Sequence, residues 1–73
     1  NQFIITLQNG IEVFQSYNSI ICVKANNETY LDQNRWNYSR TTSRYRNQFL
    51  NETTVETVKK IGFGNYAMVD LNK

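Results

Sequence analysis

Phe3-Ile4-Ile5-Thr6-Leu7-Gln8-Asn9-Gly10-Ile11-Glu12-Val13-Phe14-Gln15-Ser16 sets an Asn-Gly pair between two runs rich in β-branched and aromatic residues. Asparagine and glycine tolerate the positive φ that a tight hairpin needs, so residues 3–16 read as two antiparallel strands closed by a two-residue turn. Such a turn sets Ile5 opposite Phe14 and Thr6 opposite Val13. Phe3, Ile5, Leu7 and Phe14 then share one face, which is the expected core.

Downstream, Tyr17-Asn18 interrupts the pattern and Ile20-Ile21-Cys22-Val23 reads as a third strand. Asn26-Asn27 can turn it back into Glu28-Thr29-Tyr30-Leu31, pairing Cys22 with Leu31 and Val23 with Tyr30. From Thr41 the spacing becomes helical: Thr42, Tyr45 and Phe49 fall on one side, Arg40, Arg44 and Asn47 on another. This helix is expected to start after Ser39, a good N-cap, and to run to about Leu50. Thr53-Thr54-Val55-Glu56 is a capping box that opens a second helix, with Val55, Val58 and Ile61 on its apolar face. Lys59 and Lys60 suit the negative end of the helix dipole. Gly62 is expected to stop the helix after Ile61 in the left-handed conformation, with Phe63 packing back on Val58. Gly64-Asn65 then turns the chain into a last strand, Tyr66–Leu71. The fold class is α+β: an antiparallel sheet of four to five strands in the order ββββααβ, with two short helices on one face. A chain of 73 residues makes one domain, residues 1–73, because it buries only about 60–65% of its unfolded surface.

Histidine is absent, which removes the commonest general base and metal ligand at neutral pH. The lone cysteine, Cys22, sits among Ile20, Ile21 and Val23 and reads as a small buried apolar residue. One cysteine cannot form an internal disulfide, so a cytoplasmic location is expected. The six acids are scattered, and Glu56 and Glu52 already suit helix starts. Gly62-Phe63-Gly64 follows a helix, the reverse of the strand-to-helix order of a phosphate loop. An enzyme is therefore not expected, nor a metal or cofactor. Phe3-Ile4-Ile5-Thr6-Leu7 is too short to span a membrane or form a signal core. Three Asn-x-Ser/Thr triplets begin at Asn27, Asn37 and Asn51, and a chain with eleven asparagines and seven threonines produces such matches by chance.

The formal charge of +2 is mild, but its distribution is not. Arg35, Arg40, Arg44 and Arg46 are all the arginines of the chain, and no acid lies between Gln33 and Asn51. Trp36, Tyr38, Tyr45 and Phe49 are interleaved with them and are shared between core and rim. A guanidinium is a flat fork of donors suited to carboxylate or phosphate, and aromatic rings give contact area at low entropic cost. Arg35, Tyr38, Arg40, Arg44, Tyr45 and Arg46 are therefore the candidate partner-binding residues. The same pattern is also compatible with a solvated helix face above buried aromatics.

Tyr38-Ser39-Arg40-Thr41-Thr42-Ser43-Arg44-Tyr45-Arg46-Asn47-Gln48-Phe49-Leu50, preceded by Trp36 and followed by Glu52, Glu56, Lys59-Lys60-Ile61 and Gly64-Asn65-Tyr66, resembles a group of short uncharacterised proteins of bacteriophages and mobile elements of low-GC Gram-positive bacteria. Phe14-Gln15-Ser16-Tyr17-Asn18-Ser19-Ile20-Ile21 belongs to the same likeness. The resemblance carries no catalytic residue. It implies a small accessory protein acting in the host bacterial cytoplasm that binds and blocks a host protein, such as a CRISPR effector or another defence nuclease. Direct nucleic-acid binding through the same arginines, or a homodimeric adaptor, are the alternative expectations.

Overall fold

The computed structural model describes residues 1–73, and its five strands lie side by side in chain order. They are β1 (Gln2–Thr6), β2 (Glu12–Ser16), β3 (Ser19–Ala25), β4 (Glu28–Asp32) and β5 (Tyr66–Val69), with α1 (Arg40–Leu50) and α2 (Thr54–Gly62) between β4 and β5. The expected ββββααβ order holds. The sheet is mixed, however: β1 to β4 are antiparallel, while β5 runs parallel to β4. The two helices form a crossover that returns the chain to the end where β4 began, and a crossover of that kind delivers a parallel strand.

The first hairpin corrects the expected register. Asn9 and Gly10 do adopt positive φ, 68° and 77°, but the loop contains three residues, Gln8–Gly10, closed by Leu7 N–H donating to Ile11 O at 2.7 Å. The extra residue puts Ile4 opposite Phe14, Ile5 opposite Val13 and Thr6 opposite Glu12. A slip of one residue exchanges the two faces of a strand. Phe3, Ile5 and Leu7 are thus exposed rather than core, and Phe14 alone of the expected four is buried. Between β2 and β3, Phe14 pairs with Cys22 but Gln15 with Ile20, leaving Ile21 as a bulge residue. The second hairpin agrees with expectation: Asn26 and Asn27 take φ of 52° and 66°, Cys22 faces Leu31 and Val23 faces Tyr30.

The core is Phe14, Ile21, Cys22 and Leu31 from the sheet and Phe49 from α1, flanked by Trp36, Tyr45, Leu50, Ile61, Tyr66 and Met68. Phe14 and Phe49 pack with ring centres 5.9 Å apart. A buried hydrogen bond between the hydroxyls of Ser16 and Thr42, 2.9 Å, pins α1 to β2. Both helices thus cover the face that carries Phe14, Cys22, Leu31 and Met68. The opposite face presents, in register across all five strands, Ile5, Val13, Val23, Tyr30 and Ala67.

The capping box of α2 forms as expected, with Thr53 Oγ1 accepting from Glu56 N–H and Glu56 Oε1 accepting from Thr53 N–H. The inward face of α2 is Thr57 and Ile61, whereas Val55 and Val58 are 64% and 52% exposed. The helix also ends later than expected. Gly62 is helical and Gly64 takes the left-handed position, φ 79°, with its N–H bonded to Ile61 O and Asn65 N–H to Lys60 O. This is the paired-bond helix stop usual at a left-handed glycine, displaced by two residues. It turns Phe63 outward, 79% exposed, away from any packing on Val58. No helix is long and apolar enough to cross a membrane.

Candidate binding surface

Ser39 starts α1 by accepting Thr42 N–H on its hydroxyl at 3.1 Å, which fixes where the following arginines point. Arg40 and Arg44 lie one helical turn apart and both line a surface concavity of about 520 Å³, together with Thr41, Ser43, Asn47 and Thr54. A second concavity of about 390 Å³ shares Arg40 and Ser43 with it and adds Asn37, Tyr38 and Ser39. Arg40, Arg44 and Tyr38 are exposed. The guanidinium of Arg44 lies 5.3 Å from the ring centre of Tyr45, which steadies it along the helix. Neither Arg40 nor Arg44 is paired with an acid; the two ion pairs of the molecule are Lys24–Glu12 and Lys60–Glu52. The first turn of α1 contains no acidic residue, so the positive end of its dipole adds to the charge of Arg40.

The six expected contact residues separate into three groups. Arg40, Arg44 and Tyr38 come together on the surface. Arg35 is exposed in the β4–α1 connection but lines neither concavity, and Tyr45 is half-buried against the core. Arg46 departs from expectation altogether: it is 0% exposed and cannot meet a partner. Its Nη1 donates to Trp36 O at 2.6 Å and Asn37 Oδ1 at 3.0 Å, and its Nη2 donates to Asn47 Oδ1 and Thr54 Oγ1, both at 2.9 Å. The guanidinium also stacks 5.1 Å from the Trp36 ring centre. Burial lowers its pKa from the ordinary value, yet a guanidinium stays charged at any ordinary pH. Arg46 therefore clamps the β4–α1 connection, α1 and the start of α2 together. The surface concavity rests directly on that clamp, since Asn47 and Thr54 belong to both.

Two buried carboxylates complete the support. Asp32 accepts N–H groups of Asn34, Arg35 and Leu71 at 3.2, 2.8 and 2.9 Å, tying the start of the β4–α1 connection to the chain after β5. Burial alone would raise its pKa, but these donors hold it below the ordinary carboxylate value. Glu52 sits between the helices and accepts from Thr57 Oγ1 at 2.6 Å, Lys60 Nζ at 2.7 Å and Tyr66 Oη at 2.7 Å. Its pKa is likewise held down against burial, while burial and the bond to Glu52 push Tyr66 up to about 12. Burial pushes the Cys22 thiol up to about 12, so it is protonated and inert at neutral pH.

The model of a family described as "Family of unknown function (DUF8033)" matches residues 1–65. The chain belongs to this family. No curated protein and no solved structure shows significant similarity to it. In this DUF8033 chain the matched span takes in β1 through α2, with the Arg46 clamp and both surface arginines of α1, and ends just before β5. Sequence reasoning found Arg40, Arg44 and Tyr38 from charge and spacing. It placed Asn47 on the same helical face without counting it as a contact residue, and it passed over Ser43 and Thr54, although Ser43 lies three residues from Arg40.

Proposed function

We propose that the protein is a non-enzymatic accessory module that docks on a host macromolecule and blocks it, using Arg40 and Arg44 with Tyr38 at the start of α1. The observation that supports this reading is the position of two guanidinium groups, one turn apart and without acid partners, the first of them at a helix end that already attracts negative charge. A cation in the first turn opposes the dipole by roughly 0.3–1 kcal/mol, so the placement of Arg40 disfavours the fold slightly and favours an approaching anion. The hydroxyl and carboxamide groups of Ser43, Asn47 and Thr54 extend the set of polar contacts. Clustered carboxylates on a protein fit this surface better than a nucleic-acid backbone does, because the net charge is only +2 and few phosphates could be met at once. A host defence nuclease is the target that the phage-type resemblance implies.

The test is affinity capture from a low-GC Gram-positive host lysate with the wild type and with the double variant Arg40→Glu/Arg44→Glu. Arg40→Glu puts an acid in the first turn, which suits the helix dipole, and Arg44 is exposed, so the variant keeps its fold and melts at the same or a slightly higher temperature. Specific partners are expected to be lost from it. Retention of every partner at unchanged strength would contradict the reading. Fluorescence anisotropy with DNA and RNA separates the nucleic-acid alternative, since phosphate binding weakens with a log–log salt slope of about 0.9 per contacted phosphate.

A further inference from the structure

β1 is an edge strand whose outward backbone groups can be assigned from its bonds to β2. Leu7 N–H donates to Ile11 O and Tyr17 N–H donates to Asn1 O, so the odd-numbered residues Asn1, Phe3, Ile5 and Leu7 point their backbone toward β2. Gln2, Ile4 and Thr6 therefore direct their N–H and C=O groups away from the sheet. Within residues 1–11 nothing blunts this edge: they contain no charged side chain and no proline, β1 has no bulge against β2, and Ile4 is 62% exposed. The other edge is treated differently: β5 has only four residues and is followed directly by Asp70, with Lys73 beyond.

We infer that β1 pairs with β1 of a second copy of the chain, antiparallel about a two-fold axis through Ile4, to form a continuous ten-stranded sheet. The outward residues dictate this register. Ile4 faces Ile4 of the partner subunit, and Gln2 faces Thr6 of the partner subunit on either side of the axis. Each facing pair exchanges two backbone hydrogen bonds, six in all, and satisfies every outward group from Gln2 to Thr6. The occupant is a second copy because no side chain of the strand is charged, so its own image approaches without side-chain repulsion, and in the symmetric register the exposed Ile4 meets its own counterpart. A side-chain observation points the same way. Gln2 Oε1 and Nε2 are both buried and lack any partner, beside a concavity of about 270 Å³ lined by Gln2, Ile4, Phe14, Tyr45 and Gln48. In the paired register Thr6 of the partner subunit stands opposite Gln2 on that same face, and a turn of the Gln2 side chain toward it gives the unpartnered carboxamide a hydroxyl to bond.

The experiment combines mass in solution with amide hydrogen exchange on the full chain. Light scattering across a dilution series is expected to give twice the 8.6 kDa chain mass at high concentration and to approach the single-chain mass on dilution. In the concentrated sample the amides of Gln2, Ile4 and Thr6 are slowed and they speed up on dilution, while those of Phe3 and Ile5 stay protected by β2 throughout. Ile4→Lys places two like charges face to face across the axis and is expected to halve the mass at high concentration. Its side chain is exposed in the single chain, so the circular dichroism spectrum should be unchanged. A wild type at single-chain mass throughout would overturn the inference. So would a dimer in which the amides of Gln2, Ile4 and Thr6 exchange freely, which would indicate stacking through the opposite sheet face. Because that exchange pattern is read on the wild type, the result stands even where Ile4→Lys folds poorly.

Discussion

Arg44 and Arg46 are two positions apart on α1, a rotation of about 200°, so one guanidinium meets solvent and the other fills the interior. Their replacement should separate accordingly. Arg46→Met removes four hydrogen bonds to Trp36, Asn37, Asn47 and Thr54, leaves Trp36 O without its donor, and is expected to cost about 3 kcal/mol or more in urea unfolding. Arg40→Ala and Arg44→Ala should stay within about 0.5 kcal/mol of the wild type. The sequence places Arg46 in the stripe of Thr42 and Phe49, three or four residues away, but arginine is so seldom fully buried that its neighbours' charge pattern suggested a surface role instead. The buried carboxylates set the pH response. Asp32 and Glu52 have folded pKa values below the ordinary range, so the native state favours their ionised forms. Their contribution is complete above the unfolded carboxylate pKa of about 4 and is lost as pH falls through the lower folded values. Urea midpoints measured between neutral and acid pH should hold steady and then fall below about pH 4, and Asp32→Asn should flatten that fall while costing about 1–3 kcal/mol at neutral pH.

The elements differ in how much of their geometry was legible locally. Asn26-Asn27 announced its hairpin because two adjacent residues suited to positive φ leave few other turns, and the flanking register followed. Asn9-Gly10 carried the same chemistry, yet two- and three-residue loops both use left-handed residues, and Phe3-Ile4-Ile5-Thr6-Leu7 is apolar at nearly every position. With no alternation to favour one face, the register was unreadable. The start of α2 was legible because a capping box is entirely local, whereas its buried face depends on Thr57 reaching Glu52 across the helix junction, which no apolar periodicity encodes. The direction of β5 was also hidden, since alternation marks a strand but not its sense. The helix stop provides a sharp check. Gly64→Ala forces a left-handed alanine and should cost about 1 kcal/mol, while Gly62→Ala lies in regular helix with open space around the added methyl and should be neutral or stabilising by up to about 1 kcal/mol. Equal losses at both glycines by thermal unfolding would place the stop elsewhere.

Across the whole molecule, the two helices cover one sheet face and leave its surface chemistry in two distinct regions. One is the cationic start of α1, held in place by Arg46 beneath it; the other is the uncharged β1 edge with the apolar face beside it. The sequence disclosed the first through its acid-free run of arginines. It concealed the second, because edge position follows from strand order and register rather than from residue type. The functional account rests on the first region, and comparative capture of host proteins by the wild type and by Arg40→Glu/Arg44→Glu measures it most directly. The account expects a partner that is retained by the wild type, lost by the equally folded double variant and recovered by Arg40→Lys/Arg44→Lys in part. An identical set of partners on wild type and charge-reversed protein would contradict it.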